Sequence, residues 1–330
     1  MSTRVGGKIR FGVILSLNRS SFIDLENEAT SCERLGYYAI WLTDHFFPLY
    51  GAPSMPRFEC WTSLSAMASV TKNLRLGTLV LCNSYREPSV LAKMASTLDN
   101  ISNGRLEFGI GAGWYEAEYR AYGIPFEKVS VRIFRLKEGV KVIKKMWTEE
   151  KPRFEGRYYM IRDAFCNPKP VQKPHPPIWI GGSGEKLLLK VVAELADGCN
   201  VASWTGKPED FKHKIAILEK HCLAVGRDID EIQKSWAGSV LIAETEEEVK
   251  ERIQRYVQMR LQRLRETGRS AMNSTEYQLK PSIAGTPEQC IEKINDYVNA
   301  GATHFMLNFP TEKLLDDLQI FAKQVIPYFK

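Results

Sequence analysis

Eight short apolar runs, each followed by a stretch with apolar residues at helical spacing, succeed one another along almost the whole chain. The runs lie at 9–15, 38–43, 74–82, 106–111, 177–180, 199–202, 236–242 and 304–308. Helices are predicted between and after them at 22–35, 61–70, 88–101, 131–147, 185–196, 209–225, from Glu246 onward, at 287–299 and at 314–325. Gly36 and Gly301 stand where a helix C-terminus favours glycine, and Asn103-Gly104 marks a turn before the fourth run. Eight strand–helix units in sequence are what a closed (β/α)8 barrel, an α/β TIM barrel, requires. A doubly wound sheet would use fewer strands and an earlier phosphate loop. The 330 residues exceed the roughly 250 such a barrel needs, so insertions are expected. One is a hairpin or lid near 151–176, where Gly156, Pro168 and Pro170 break the rhythm; the other is a charged helical insertion near 244–280. The chain is read as a single barrel domain over 1–330.

Composition removes several functional classes. Lys and Arg exceed Asp and Glu by 45 to 39, and the resulting net charge of +6 suits a small anionic ligand better than a nucleic-acid surface. No run of about 18 apolar residues occurs, and residues 1–10 lack a signal-peptide core, so a cytoplasmic protein with no membrane partner is expected. The seven cysteines, at 32, 60, 82, 166, 199, 222 and 290, form no Cys-x-x-Cys pair and are odd in number, which predicts reduced thiols. His175, His213, His221 and His304 have no metal-ligand spacing, and no metal is expected.

Parallel barrels carry their ligand sites beyond the carboxyl ends of the strands, so the run ends matter most. Thr43-Asp44-His45 closes the second run with the only acidic–histidine neighbour pair in the chain. An imidazole there can take or give a proton at neutral pH, which makes His45 the leading acid–base candidate. The competing reading has Asp44 capping a turn and His45 packed under Phe46 and Phe47. Gly181-Gly182-Ser183-Gly184 follows the fifth run and precedes a helix, a pattern that lets backbone N–H groups approach an anion; a ligand-free tight turn is the alternative. Gly109, Gly111 and Gly113 make a poor dinucleotide fingerprint because Trp114-Tyr115 come next, and are read as thinning the strand end for a flat ring. Glu116 and Glu118 could bind a hydroxyl or stabilise charge, but a solvated first helical turn is the favoured reading. Arg255, Arg260, Arg263, Arg265 and Arg269 read as a solvated helix face, with contact to an acidic ligand tail as the alternative.

Five of these segments, at 35–45, 76–81, 104–114, 176–184 and 196–198, together resemble the bacterial luciferase-like superfamily, and the resemblance spans most of the chain. Within it, Thr43-Asp44-His45 and the run from Gly104 to Trp114 resemble the branch that uses the deazaflavin coenzyme F420 rather than FMN. The resemblance implies a (β/α)8 barrel with a ring across Asp44, Leu79, Val80, Cys82 and Gly111, flanked by Gly113 and Gly181. It implies a phosphate on Gly182, Ser183 and Gly184, a non-prolyl cis peptide at Leu79-Val80, and a homodimer. His45, beside Asp44, matches the proton-handling histidine of alcohol- and sugar-oxidising relatives. Trp114 stands where sugar-phosphate dehydrogenases of the branch carry a glutamate, which argues against a sugar phosphate. The expected chemistry is reversible hydride transfer to or from a small alcohol, carbonyl or activated alkene, with Phe46, Trp114 and Trp204 lining an apolar substrate pocket. The alternatives are an FMN-dependent luciferase-like monooxygenase and a non-catalytic cofactor-binding barrel.

Overall fold

Strand after strand in this chain is apolar on both faces, and each is buried on both: all six residues of Leu106–Gly111 and all four of Ala39–Leu42 are inaccessible to solvent. Such strands need helices outside and a filled lumen inside. A computed structural model, which describes residues 8–49, 52–201, 207–266 and 281–330, has this architecture. Strands β1 (Arg10–Ile14), β2 (Ala39–Leu42), β3 (Arg75–Thr78), β5 (Leu106–Gly111), β8 (Ile178–Gly181), β9 (Gly198–Val201), β10 (Gln233–Ile242) and β12 (His304–Asn308) pair in parallel, and β12 closes on β1. The result is a closed eight-stranded barrel, as the sequence pattern predicts.

The run at 74–82 is interrupted: a cis peptide between Leu79 and Val80 separates β3 from the two-residue β4 (Leu81–Cys82), which pairs with the end of β5. Between the fourth and fifth barrel strands lies a small antiparallel pair, β6 (Arg153–Glu155) and β7 (Met160–Arg162). Short β11 (Ile283–Gly285) extends the end of β10.

The helices follow the expected positions closely: α1 (Phe22–Arg34), α2 (Cys60–Val70), α3 (Pro88–Ile101), α5 (Val129–Thr148), α7 (Pro208–Ala224), α8 (Glu246–Glu266), α9 (Pro287–Asn299) and α10 (Leu314–Gln324). Two differ. The short α4 (Glu116–Ala121) was not anticipated, and α6 (Leu188–Leu195) begins after a turn at 185–187 rather than at Glu185. The remainder of the expected charged insertion, 267–280, lies outside the described residues. Among the described residues no helix is long and apolar enough to cross a membrane. All seven cysteines are free and buried.

The lumen is filled by two tryptophans. Trp41 and Trp179 meet edge to face at 5.6 Å, joined by Ile14, Ala39, Leu79, Ala237 and Met306. Their bulk is accommodated by glycine on neighbouring strands: a Cβ on Gly77 would lie 2.1 Å from the Trp41 ring, and one on Gly198 would lie 2.3 Å from Trp179. Below them, Glu107 accepts from Tyr38 Oη at 2.7 Å and Trp179 Nε1 at 2.6 Å and pairs with Arg75. Overpacking of this kind costs about 1–3 kcal/mol, so Gly77→Ala is expected to lower the urea midpoint accordingly. Combining it with Trp41→Leu should cost less than the sum of the single changes, because both act on the same contact.

Candidate active site

The chain leaving β2 carries no further strand pairing, so its backbone groups need other partners. They find them in two oppositely charged side chains. Arg57 donates to the carbonyls of Thr43 (2.9 Å) and His45 (2.7 Å), and also to Thr43 Oγ1 (2.7 Å) and Asn18 Oδ1 (2.7 Å). Glu118 accepts at Oε1 from the amides of Phe46 (2.7 Å) and Phe47 (3.3 Å). Its Oε2 is 2.8 Å from His45 Nδ1 and accepts from Tyr85 Oη at 2.7 Å. The Glu118 side chain is fully buried, which overturns the reading of a solvated helical turn for this residue; that reading holds for Glu116, which is exposed and paired with Arg120. Burial alone would raise the Glu118 pKa, but the donors from His45, Tyr85 and Phe46 outweigh it and hold it below the ordinary 4.5.

Asp44 is equally occupied. Its carboxylate accepts from the amide of Cys82 at 2.9 Å and from both terminal nitrogens of Arg86 at 2.8 and 3.0 Å. Arg86 also pairs with Glu59, whose carboxylate caps α2 through the amides of Trp61 (3.0 Å) and Thr62 (2.6 Å). Burial acts to lower the Arg86 pKa, yet Asp44 and Glu59 hold it above its ordinary value. The Asp44 carboxylate is thus a bidentate ion-pair partner that ties β2 to β4, not a bare acid beside His45.

The glycine-rich end of β5 does different work from that expected. A Cβ on Gly109 would fall 1.9 Å from the Thr78 carbonyl, one on Gly111 would fall 2.8 Å from Val80, and one on Gly113 would fall 1.9 Å from Tyr119 Oη. The same Val80 side chain abuts Gly181 at 2.9 Å. The missing side chains therefore make room for the Leu79–Val80 bulge and for Tyr119. Cys82 lies in the same layer, its Sγ 3.0 Å from Tyr119 Oη, and burial pushes its thiol up to about 11.

At the end of β8 the backbone behaves unlike the rest of the rim. The Gly182 amide donates to Asn200 O at 2.9 Å with φ of 136°, a left-handed conformation, and a Cβ there would strike Leu188 at 2.2 Å. Among the described residues, the amides of Ser183, Gly184 and Glu185 and the Ser183 hydroxyl make no hydrogen bond. Free amides beside side-chain-free positions fit a phosphate group.

The aromatic residues expected to shape a substrate pocket divide. Trp114 is largely exposed and meets the His45 ring edge to face at 5.8 Å, with Tyr115 at 6.0 Å. Phe46 is stacked between Tyr85 (4.5 Å) and Tyr122 (4.2 Å), so it supports the wall more than it lines it. Trp204 lies outside the described residues. Of the remaining histidines, His175 Nδ1 is 2.9 Å from the Pro176 carbonyl, His221 Nε2 is 2.8 Å from that of Glu185, His213 Nε2 is 3.4 Å from the Glu185 carboxylate, and His304 is buried against Tyr38 and Trp179 with its Nε2 unpaired. Among the described residues no three His, Cys, Asp or Glu side chains converge on a point that could hold a metal ion.

Comparison with known proteins fits this geometry. The sequence model of the luciferase-like monooxygenase family matches residues 8–304. The chain belongs to the luciferase-like monooxygenase family. Within the family it is 32% identical over 189 residues to an uncharacterized protein of Mycobacterium tuberculosis, a match covering 55% of this chain and 64% of that protein. It is 24% identical over 316 residues to the F420-dependent glucose-6-phosphate dehydrogenase of Amycolatopsis mediterranei, covering 92% and 93% of the two chains. An F420-dependent secondary alcohol dehydrogenase, solved with an F420–acetone adduct, superposes with a TM-score of 0.83 at 22% identity, covering 98% of this chain and 99% of that one.

Arg57, Arg86, Glu59 and Glu118 are the site residues that sequence reasoning missed or misplaced in this luciferase-like barrel. The one available signal was at Glu118, two residues into a short segment just past a glycine-rich strand end. A carboxyl held below its ordinary pKa contributes stability that is complete above that ordinary value and is lost as pH falls through the folded-state value. Glu118→Gln is therefore expected to cost about 1–3 kcal/mol at neutral pH through its unsatisfied donors. The deficit against wild type, read from denaturant midpoints, should be constant above pH 4.5 and shrink below it.

Proposed function

We propose that this protein is a coenzyme F420-dependent oxidoreductase that moves a hydride between the deazaflavin and a small organic substrate, an alcohol–carbonyl pair or an activated alkene. The observation that carries the reading is the His45 ring at the C-terminal rim. Its Nδ1 is taken by buried Glu118 and its Nε2 makes no hydrogen bond among the described residues. The similarity along nearly the full chain to F420-dependent glucose-6-phosphate dehydrogenases supports the choice of cofactor.

Gly182, Ser183 and Gly184 would hold the phosphate through the unpaired amides, and Leu79, Val80, Cys82, Gly111 and Gly181 form the floor at the strand ends beneath a ring. When bound, the deazaflavin supplies a carbon centre that accepts or gives a hydride and handles oxygen poorly. The chain contributes the rest. His45 Nε2 takes the hydroxyl proton of an alcohol or returns it to a carbonyl oxygen. The exposed Trp114 edge offers the substrate an apolar wall beside that nitrogen. An indole at this position suits a small apolar alcohol or ketone and gives a sugar phosphate no charged partner.

Anaerobic titration of the protein's tryptophan fluorescence with F420, and separately with FMN, tests the cofactor. Saturation by F420 with at least about tenfold weaker FMN binding is expected, a gap of 1.4 kcal/mol or more. Ser183→Asp, which sets a carboxylate against the phosphate, should weaken F420 by a similar factor without moving the melting temperature. FMN binding with oxygen consumption would instead identify a monooxygenase. Tight F420 binding with no reduction of the cofactor by 2-propanol, other short alcohols or an alkene panel would identify a non-catalytic barrel.

A further inference from the structure

We infer that Glu118 is a positioning residue that fixes His45 in the Nδ1–H tautomer and thereby makes Nε2 the atom that exchanges a proton with the substrate. The inference rests on the acid–base role given to His45 above, and it names the group that makes the role possible.

The argument is one of donors and acceptors. Two of the partners of the Glu118 carboxylate are backbone amides, of Phe46 and Phe47, which can only donate. A third is the Tyr85 hydroxyl at 2.7 Å, which burial and its contact with Glu118 keep protonated by raising its pKa well above the ordinary value. Three donors directed at the carboxylate, independent of His45, favour its ionised, acceptor-only form. The fourth contact, to His45 Nδ1 at 2.8 Å, is therefore an N–H donating to an anion. In the neutral ring the lone pair then resides on Nε2, the one nitrogen without a partner among the described residues.

The same carboxylate also fixes where the ring sits. It binds the ring and the two amides that follow it in the chain, while Arg57 holds the carbonyls of Thr43 and His45. The segment 43–47 is gripped through its N–H groups by an anion and through its C=O groups by a cation. Glu118 sits on α4, directly after Trp114 and Tyr115, whose rings meet His45 edge to face. One short helix thus orients the base and anchors the aromatic wall beside it. A residue that merely stabilised the loop would need the two amide contacts but not the contact to Nδ1.

In alcohol oxidation the O–H bond breaks, its proton goes to His45 Nε2 and its electron pair closes the C=O bond, while a bound deazaflavin would accept the C–H bonding pair as hydride. The Glu118 carboxylate stays ionised throughout and steadies the imidazolium that forms.

The test begins with the cofactor-free protein. Long-range 15N–1H correlation spectra of 15N-histidine-labelled wild type at neutral pH, with His45 assigned by loss of its signals in His45→Gln, report the tautomer directly. The Nδ1–H form is expected for wild type, and its loss or mixing is expected in Glu118→Gln. A wild-type His45 in the Nε2–H form overturns the inference even if no variant folds. In the second arm, with F420 and 2-propanol, Glu118→Gln should lower kcat on the order of 100-fold while F420 affinity stays at the wild-type value. Glu118→Asp should restore part of the rate. A Glu118→Gln protein that keeps both the wild-type tautomer and the wild-type kcat overturns the inference. If wild type binds no F420 or oxidises no alcohol, the functional reading fails by itself, and the spectra still decide the role of Glu118.

Discussion

A closed parallel barrel pairs its strands along their lengths and abandons their backbone at the rim, where N–H and C=O groups emerge with no neighbouring strand to meet them. How those groups are satisfied decides the shape of this site. Charged side chains do most of the work: Arg57 takes two carbonyls after β2, Glu118 takes two amides there, Asp44 takes the Cys82 amide, and Arg132 takes the Gly113 carbonyl. Thr78 Oγ1 bonds both the amide and the carbonyl of Gly109. Against that background, the free amides at 183–185 stand out as positions where the chain's own side chains provide nothing, and where an external anion would complete the pattern.

The same accounting separates two acidic residues that look alike in sequence. Asp44 adjoins the histidine in the chain, yet its carboxylate is directed to Arg86 and the Cys82 amide. Glu118 is 73 residues away and holds the imidazole. Asp44 is paired with the Arg86 cation, whereas Glu118 and Arg57 are met by neutral donors and acceptors, so each of these rim charges is hydrogen-bonded although only one is in an ion pair of full charges. Beside these groups, His45 Nε2 makes no hydrogen bond among the described residues, and the Trp114 indole is largely exposed.

The barrel was legible because its signal is local. Apolar runs of strand length, helices with glycine stops, and the Asn103-Gly104 turn each declare themselves within a few residues, and all eight barrel strands lie where the pattern places them. The His45 and Gly-Gly-Ser-Gly positions were legible for the same reason, as polar breaks at apolar run ends. Glu118 was not, since the short segment carrying it has an exposed glutamate at Glu116 and an exposed arginine at Arg120, and only the folding of α4 over the rim buries the residue between them. Arg57 and Arg86 each look like an ordinary surface residue until the loops of other strands arrive beside them. The glycines of β5 show a related limit: glycine reports that space is needed, but which protein atoms crowd that position, here the Leu79–Val80 bulge and Tyr119, is a long-range fact.

The barrel also divides its demands along its axis. Midway, Trp41 and Trp179 fill the lumen against Gly77 and Gly198, and below them Glu107 gathers Arg75, Tyr38 and Trp179 into a buried polar cluster. None of these side chains is among the rim groups that hold His45, so they serve packing and closure. The Leu79–Val80 bulge is where the two regions meet: Leu79 belongs to the lumen cluster, while Val80 fills the gap left by Gly111 and Gly181 at the strand ends. The fit of two tryptophans between glycine-bearing strands therefore sets where the Leu79–Val80 bulge sits, and through Val80 it constrains the strand ends at Gly111 and Gly181.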